Sequence, residues 1–264
     1  MAIIKDILNV LENNYPLKYS EKWDKSGLQV GDTTVNTSKI ILALDPLEEV
    51  VNYAIKNKIN LIITHHPLAL KAIFPIDTQT YLGRVIKKAI LNNITIYSAH
   101  TNFDSVEPTV SDALLDKLDF KYESKSFIKN NTENNVGFGR IIKLNKKMAY
   151  SDILNAVKEK SLAKYLRFVG DIDKVIEVIA IMGGSGASFI EDVYQKGADL
   201  YITGDIKYHD ARLAEQLGLS VIDLGHFNSE RHSLIILKKL LEFNFKEIFI
   251  DIFNKEDNPF ILWR

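Results

Sequence analysis

The sequence predicts an α/β protein built from two similar α/β repeats, each with a mixed, mostly parallel sheet. Two observations support this fold class. Short apolar runs rich in β-branched residues alternate with amphipathic helical stretches, which is typical of parallel strands joined by helices. The same order of strands and helices recurs in the second half, which indicates a duplicated unit.

The first half contains an N-terminal amphipathic helix followed by a β-α-β-α-β pattern. The helix covers Ala2–Asn14, with apolar residues at helical spacing, and stops near Pro16. The pattern that follows consists of the strand Lys39–Asp45, the helix Leu47–Lys58, the strand Leu61–Thr64, the helix Thr80–Asn92 and the strand Ile94–Ser98. Connections of this kind predict parallel strands covered by helices.

A polar, asparagine-rich segment, Lys121–Gly137, separates the two halves and predicts a loop or hairpin. We therefore place the first repeat at residues 1–125 and the second at residues 126–264. The predicted elements of the second repeat are strands at 139–144, 175–182, 200–203 and 219–224, and helices at 151–160, 188–196 and 210–217. A last alternating run, Glu247–Phe253, predicts a strand that completes either sheet.

The duplication is clearest where strands end. Leu61–Thr64 aligns with Leu200–Thr203, and the next strand of each half leads to a histidine with a carboxylate four residues later. These pairs are His100 with Asp104 and His226 with Glu230. The alternative is that any two β-α-β units resemble each other.

Composition excludes several classes of protein. The 264 residues include no cysteine, which excludes disulfides, thiolate zinc sites, iron–sulfur clusters and cysteine nucleophiles. Lys and Arg number 33 and Asp and Glu 34, and this near-neutral balance argues against nucleic acid or an acidic membrane as partner. No apolar run is long enough to cross a membrane and the N-terminus does not resemble a signal peptide, so we expect a cytoplasmic protein.

Five of the six histidines lie at or just after the end of a predicted strand, where sites form in open α/β sheets: His65, His66, His100, His209 and His226. Together with Asp104 and Glu230 they offer the neutral nitrogen and anionic oxygen ligands that first-row divalent metals accept. Each pair alone is equally compatible with satisfied polar packing. We interpret His232, which falls within a predicted helix, as a structural or surface residue.

Three other segments carry polar or glycine-rich patterns. The run Met182–Gly186 fits either a tight turn with close backbone packing or a phosphate site at a helix start, but lacks a complete dinucleotide motif. The loop Thr203–His209 brings together groups suited to acid–base work or anion binding, or is a solvated loop. Trp23, in a loop-like run, packs structurally or forms the wall of a pocket.

These residues resemble one family, the dinuclear-metal-centre hexameric proteins, also described as NIF-three-like or as GTP cyclohydrolase I type 2 homologues. The resemblance follows the chain in order over nearly its whole length. Its motifs are Trp23-Asp24 with Ser26–Gly31, Thr64–Leu68, His100–Asn102 with Asp104, Gly137-x-Gly139-Arg140, Gly183-Gly184-x-Gly186, Thr203–Asp205 with His209, and Gly225-His226 with Glu230. Lys25 departs from the asparagine common in the family, and segment 121–137 is too short for the domain that some members carry between the halves.

The resemblance implies two intertwined repeats with a metal site between them, a ring-shaped homohexamer, and two divalent metal ions per chain. The ions could be Zn, Fe, Mn, Co or Ni. The implied ligands are His65, His66, Asp104, His226 and Glu230. The duplication pairs His100 with His226, but the family pattern does not make His100 a regular ligand, so it lines the pocket or supports a ligand.

We therefore expect a metal-dependent hydrolase that acts on a nucleotide or related phosphorylated heterocycle through metal-activated water. His209 or His100 would transfer the proton, and Lys207 and Trp23 would contact a small anionic substrate. The alternative is a non-enzymatic, metal-binding hexameric assembly or regulatory protein. A third interpretation is an α/β protein without metal.

Overall fold

A computed structural model describes residues 1–131, 135–261 and 263. Contacts divide the chain into two compact units. The first unit comprises Met1–Val106 and Leu234–Asp257, and the second comprises Glu107–Ser233 and Asn258–Arg264. The predicted boundary at residue 125 was drawn from composition, whereas the contacts change at Val106. Residues 132–134 of the predicted polar segment lie outside the described residues.

The first stretch of the first unit contains the predicted N-terminal helix and β-α-β-α-β pattern, but the helix begins at Ile4 and not at Ala2, because Ala2 and Ile3 pair with Thr37 and Asn36. Its elements are β1 (Ala2–Ile3), α1 (Ile4–Asn14), β2 (Gly27–Val30), β3 (Asn36–Thr37), β4 (Lys39–Ala43), α2 (Glu48–Asn57), β5 (Leu61–Thr64), α3 (Tyr81–Leu91), β6 (Thr95–Ser98) and α4 (Thr101–Ser105). A 3₁₀ turn, Leu17–Tyr19, follows α1.

The second unit follows as one continuous stretch. Its elements are α5 (Val110–Leu118), β7 (Tyr122–Ser126), β8 (Lys129–Asn130), β9 (Gly137–Phe138), β10 (Arg140–Ala149), α6 (Tyr150–Ser161), β11 (Arg167–Val169), β12 (Val175–Ser185), α7 (Ile190–Gln195), β13 (Leu200–Gly204), α8 (Tyr208–Leu217), β14 (Ser220–Asp223) and α9 (His226–Glu230). Two short 3₁₀ helices, Ala187–Phe189 and Arg231–Ser233, precede α7 and follow α9.

The chain then returns to the first unit with α10 (Leu234–Asn244) and β15 (Phe249–Ile252). Strand β15 pairs in parallel with β4, with Ile250 opposite Ile40, so it is the outer strand of the first sheet. That sheet has the order β15-β4-β5-β6-β2, in which only β2 is antiparallel to its neighbour. Its central strands β4, β5 and β6 are buried along nearly their whole length, because helices pack against the sheet.

The second sheet has the order β11-β14-β13-β12-β10-β7. Strands β12, β13 and β14 are parallel, and β11, β10 and β7 add antiparallel pairs at the two sides. One face packs on α5 and α6 through residues such as Leu114, Ile153 and Ile202. The other face packs on α7 and α8 through residues such as Val193 and Ala214.

The two units repeat one topology. In each sheet, three parallel strands lie side by side and an antiparallel strand, which comes earlier in the chain, pairs with the third. The spatial orders are β4-β5-β6-β2 and β12-β13-β14-β11. The third strand leads in each case into a five-residue helix, α4 or α9. The mixed, mostly parallel α/β fold predicted from the sequence is thereby confirmed. Among the described helices, none combines the length and apolar character needed to span a membrane.

A buried ion pair stabilises the start of α5 in the second unit. Arg140 Nε and Nη2 donate to Asp112 Oδ1 and Oδ2 at 2.7 and 2.5 Å, and both residues are buried. The guanidinium carbon lies 3.7 Å from the ring centroid of Phe127. Burial raises the pKa of the Asp112 carboxyl, but the hydrogen bonds and charge of Arg140 outweigh it and lower the pKa below its ordinary value.

We expect Arg140→Met to lower the free energy of unfolding at pH 7 by about 3–5 kcal/mol, because it leaves a buried carboxylate without its guanidinium. The pKa shift acts in the same sense: the stability that Asp112 supplies is present above its unfolded pKa and is lost as pH falls through the lower folded pKa. Urea unfolding at several pH values measures both effects.

The matched control is Lys143→Met on the same strand. Lys143 is half-exposed and lies 3.5–3.6 Å from Glu177 and Glu123, so its removal should cost less than about 1 kcal/mol. The double variant Arg140→Met/Asp112→Leu should recover part of the loss. Equal costs for Arg140→Met and Lys143→Met would contradict the stabilising role of the buried pair.

Candidate functional site

The parallel strands of the first sheet end at one edge, and polar side chains cluster there. His65 and His66 directly follow β5, His100 follows β6, and Asp45 follows β4. Asp24 precedes β2, which runs antiparallel to β6 with Gly27 opposite Ser98, so it reaches the same edge. Sheet order therefore brings residues distant in sequence to one place.

Three of these residues form a cluster of imidazoles. The ring centroids of His65, His66 and His100 lie 5.0, 5.2 and 5.5 Å apart, and one ring nitrogen from each lies within 4.8 Å of the others. His65 is buried and the other two are partly buried. The spacing of these nitrogens suits ligands of a metal ion.

Each imidazole of the cluster is held through Nδ1. His65 Nδ1 lies 2.9 Å from the Ala99 carbonyl oxygen, and His66 Nδ1 lies 2.8 Å from Asp45 Oδ1. His100 Nδ1 lies 2.7 Å from Asp24 Oδ1. Carbonyl and carboxylate oxygens only accept hydrogen bonds, so Nδ1 is the donor and Nε2 of the neutral ring keeps its lone pair. This arrangement is typical of histidines that bind metal.

Asp24 is the most strongly held of the supporting carboxylates. Its side chain is buried and accepts hydrogen bonds from the hydroxyls of Ser26 and Thr101 as well as from His100. Burial raises the pKa of the Asp24 carboxyl, but these hydrogen bonds outweigh it and hold the pKa well below its usual range. Asp24 is therefore ionised, and its carboxylate holds the ring of His100 in place.

Asp104 and Trp23 border the same cluster. Asp104, on α4 one turn after His100, places Oδ1 3.7 Å from Nε2 of His65. The half-exposed ring of Trp23 meets the ring of His100 edge-on, with centroids 5.9 Å apart. Of the residues predicted for the site, the first unit thus brings together His65, His66, His100, Asp104 and Trp23.

The second unit holds His226 and Glu230 on α9, directly after β14. His226 Nδ1 lies 2.8 Å from Asp205 Oδ2, and its Nε2 lies 3.1 Å from Oε2 of the buried Glu230. A cation bound beside Nε2 would be shared between this imidazole and the Glu230 carboxylate. Asp205 has a φ of 57°, in the left-handed region, where Asp is among the better-tolerated residues.

The glycine-rich run continues β12 and packs closely on α9. A side chain at Gly184, where φ is +70°, would place its Cβ 2.2 Å from Glu230 Oε1. A Cβ at Gly204 would come within 2.8 Å of the backbone nitrogen of His226. The run lies within the strand up to Ser185, and its last residue, Gly186, directly precedes the 3₁₀ helix Ala187–Phe189. The tight contact at Gly184 favours the close-packing interpretation.

The remaining predicted residues lie elsewhere in the second unit. Lys207 immediately precedes α8 and His209 is exposed in its first turn, with its ring 5.2 Å from that of Tyr208. Their roles stay predictions. His232 lies in a 3₁₀ turn, where burial, with smaller effects of Lys117 and Arg231, lowers its pKa to about 4.

The sequence analysis assigned no individual role to four carboxylates: Asp24 and Asp205 appeared only within motifs, Asp45 only at the end of a predicted strand, and Glu256 not at all. Asp24, Asp45 and Asp205 each anchor a histidine, and Glu256 accepts the backbone N–H groups of Leu44 and Asp45 at 2.8 and 2.7 Å. Burial raises the pKa of Glu256 despite these two hydrogen bonds. Asp45 and Asp205 follow predicted strands, so the rule that identified the histidines could have identified them too.

A protein-family model matches nearly the whole chain. The model of the Duf34/NIF3 (NGG1p interacting factor 3) family matches residues 2–259. A Clostridium perfringens protein named GTP cyclohydrolase 1 type 2 homolog is 43% identical over 234 residues, which is 88% of each chain.

Two solved structures share the fold. A Bacillus cereus protein related to NIF3 superimposes with a TM-score of 0.93 at 24% identity, covering 100% of this chain and 99% of the other. Staphylococcus aureus protein SA1388 has a TM-score of 0.90 at 27% identity and covers 99% of both chains. At 24% identity, the similarity to the Bacillus cereus protein supports the shared fold and nothing further.

Gly184→Ala tests the close packing of the strand on Glu230. We expect it to lower the free energy of unfolding by about 1–3 kcal/mol more than Gly197→Ala, measured by urea denaturation. Gly197 is the matched control, because its φ is +74° but a Cβ there would meet nothing within 4 Å. Equal losses would mean that backbone strain alone, and not contact with Glu230, requires glycine at position 184.

Proposed function

The chain belongs to the Duf34/NIF3 family, and from its histidine and carboxylate groups we propose that it is a divalent-metal-dependent hydrolase. The proposed substrate is a nucleotide or a related phosphorylated heterocycle, a class supported by the name GTP cyclohydrolase 1 type 2 homolog of its relatives. The proposed ligands of two metal ions are His65, His66, Asp104, His226 and Glu230.

One observation carries the proposal: every one of the three ligand histidines is held at Nδ1 by an acceptor. Ala99, Asp45 and Asp205 supply these acceptors at 2.8–2.9 Å. In the neutral rings Nε2 therefore carries the lone pair, and each Nε2 has a carboxylate or another imidazole beside it. The donor set fits a first-row divalent metal such as Zn, Fe, Mn, Co or Ni.

The charges of the ligands support an anionic substrate. Asp104 and Glu230 bring two negative charges, fewer than the four positive charges of two divalent ions. Five protein ligands also leave coordination positions open for water and substrate. When bound, the ions would lower the pKa of a water molecule and polarise the bond under attack.

His100 takes a different role in the proposal. Its Nδ1 is held by Asp24, which is kept ionised, so the ring has a fixed orientation and presents Nε2 beside His65 and His66. We assign it to hold and return a proton at Nε2, or to contact the substrate there. Trp23 beside it would form one wall for the substrate.

The second candidate is a non-enzymatic assembly or regulatory protein. It is favoured by the apolar side chains exposed on the segment after His66, where Leu70, Phe74 and Ile76 are each at least half exposed. Such a surface suits contact with another protein chain. The ring-shaped hexamer and the cytoplasmic location stay predictions under either candidate.

The test combines metal content with turnover. Asp104→Asn and Glu230→Gln, each of which keeps the size of its side chain, should lose at least half of the bound metal and nearly all hydrolysis in a screen of nucleotides and phosphoesters. Elemental analysis and product chromatography measure the two quantities. Asp116→Asn, at an exposed position on α5, is the matched control and should change neither.

Three results would contradict the enzyme. Full turnover in both site variants would exclude these carboxylates from the reaction. Wild-type protein with well under one ion per chain after loading would remove the metal from the account. Two bound ions without turnover on any member of the screen, together with capture of a partner protein, would favour the assembly role.

A further inference from the structure

A groove outside the histidine groups lies in the second unit, between the edge strand β11 and the start of α8. Its volume is about 310 Å³, at the small end of the range of roughly 300–1,000 Å³ that is typical of small-molecule sites. The residues that line it are Arg167, Phe168, Val169, Ile206, Lys207, Tyr208, Ala211, Val221 and Asp223. We call it the β11–α8 groove.

The groove has an apolar floor and an aromatic wall. Val169, Val221 and Ala211 belong to the core between α8 and the sheet and present aliphatic surface to the groove. Tyr208 is 66% exposed, and the Arg212 guanidinium lies 5.4 Å from its ring centroid. An exposed aromatic ring above an aliphatic floor suits a planar aromatic group.

Cationic groups lie beside this surface. Arg167 uses only Nη2 for its described hydrogen bonds, to Asp223 and to the Ile206 carbonyl oxygen, so Nε and Nη1 keep their donors. Lys207 is exposed, its backbone N–H donates to Asp210 Oδ2 at 3.0 Å, and Asp223 is the one acidic residue among those that line the groove. Asp223 offsets the charge of Arg167, which leaves Lys207 as the excess positive charge of the groove.

We propose that the β11–α8 groove binds a small aromatic phosphate, such as a purine nucleoside monophosphate. The base would stack on Tyr208 and the aliphatic floor, and the phosphate would accept hydrogen bonds from Arg167 and Lys207. A simple anion would leave the apolar floor unused, and a hydrocarbon would leave the cations unused. The volume suits one nucleotide and not a longer chain.

This site is one loop away from a proposed metal ligand. Asp205 anchors His226, and the next two residues, Ile206 and Lys207, line the groove. Binding in the groove requires no metal. The inference rests on the proposed function only where it identifies the bound nucleotide as the substrate of the hydrolase.

The test is titration of chelator-treated, full-length protein with GMP, guanosine and inorganic phosphate by calorimetry. GMP should bind at least about 10-fold more tightly than either fragment, because it engages both halves of the groove. Lys207→Met should weaken GMP binding about 10-fold, which corresponds to one charge-assisted contact, and leave guanosine unchanged. Tyr208→Ala should weaken both GMP and guanosine.

Lys196→Met, an exposed lysine of the same unit, is the matched control and should bind GMP like the wild type. Absence of GMP binding, equal affinity for inorganic phosphate and GMP, or unchanged GMP binding in Lys207→Met would each overturn the groove proposal. The titration uses metal-free protein, so GMP binding without any later turnover would refute the hydrolase and keep the groove. Turnover without GMP binding in the groove would refute the groove proposal and keep the hydrolase.

Discussion

The hydrogen bond at Nδ1 of each site histidine is the interaction on which the rest of the site depends. In three of four cases its acceptor is an aspartate at the end of a neighbouring strand: Asp45 for His66, Asp24 for His100 and Asp205 for His226. Because the donor and acceptor belong to adjacent strands, the sheet register sets the direction of the ring. A ring fixed in this way loses less conformational entropy on binding a ligand.

The repeated topology explains why the two units supply different groups. The turn Thr64-His65-His66 in the first unit corresponds to Thr203-Gly204-Asp205 in the second. A Cβ at position 204 would come within 2.8 Å of backbone atoms of Gly184, Gly225 and His226, so the place of His65 is taken by glycine. The place of His66 is taken by Asp205, which anchors a histidine instead of adding one. One topology thus gives three imidazoles in the first unit and an imidazole–carboxylate pair in the second.

Much of this arrangement follows from sequence, because buried parallel strands leave continuous apolar runs and their ends are easy to locate. The clusters at His65, His66 and His100 and at His226 and Glu230 were reached in this way. Asp24 was named only within a motif, and its role could not be inferred, because it precedes a short antiparallel strand, β2, whose pairing with β6 has no sequence signal. Strand β7 lies in the segment predicted as a loop or hairpin; the sequence does not locate the strand because its five residues are exposed and pairing with β10 alone defines it.

A residue near the C-terminus, Glu256, supports the site through a long-range contact that local sequence patterns do not reveal. Glu256 holds the N–H groups of Leu44 and Asp45, and Asp45 in turn holds His66. This support depends on the pairing of β15 with β4, two segments about 200 residues apart. The sequence predicted the last strand but left open which of the two sheets it joins. Local patterns thus locate the ligands, whereas long-range pairing determines how they are held.

The central claim is that these aspartates direct Nε2 of the histidines toward metal. Its most direct test is the zinc dissociation constant of Asp45→Ala and Asp205→Ala, measured by competition with a chromophoric chelator. The account predicts that each variant stays folded and binds zinc about 10–100-fold more weakly than the wild type. Unchanged zinc affinity in both variants would contradict it.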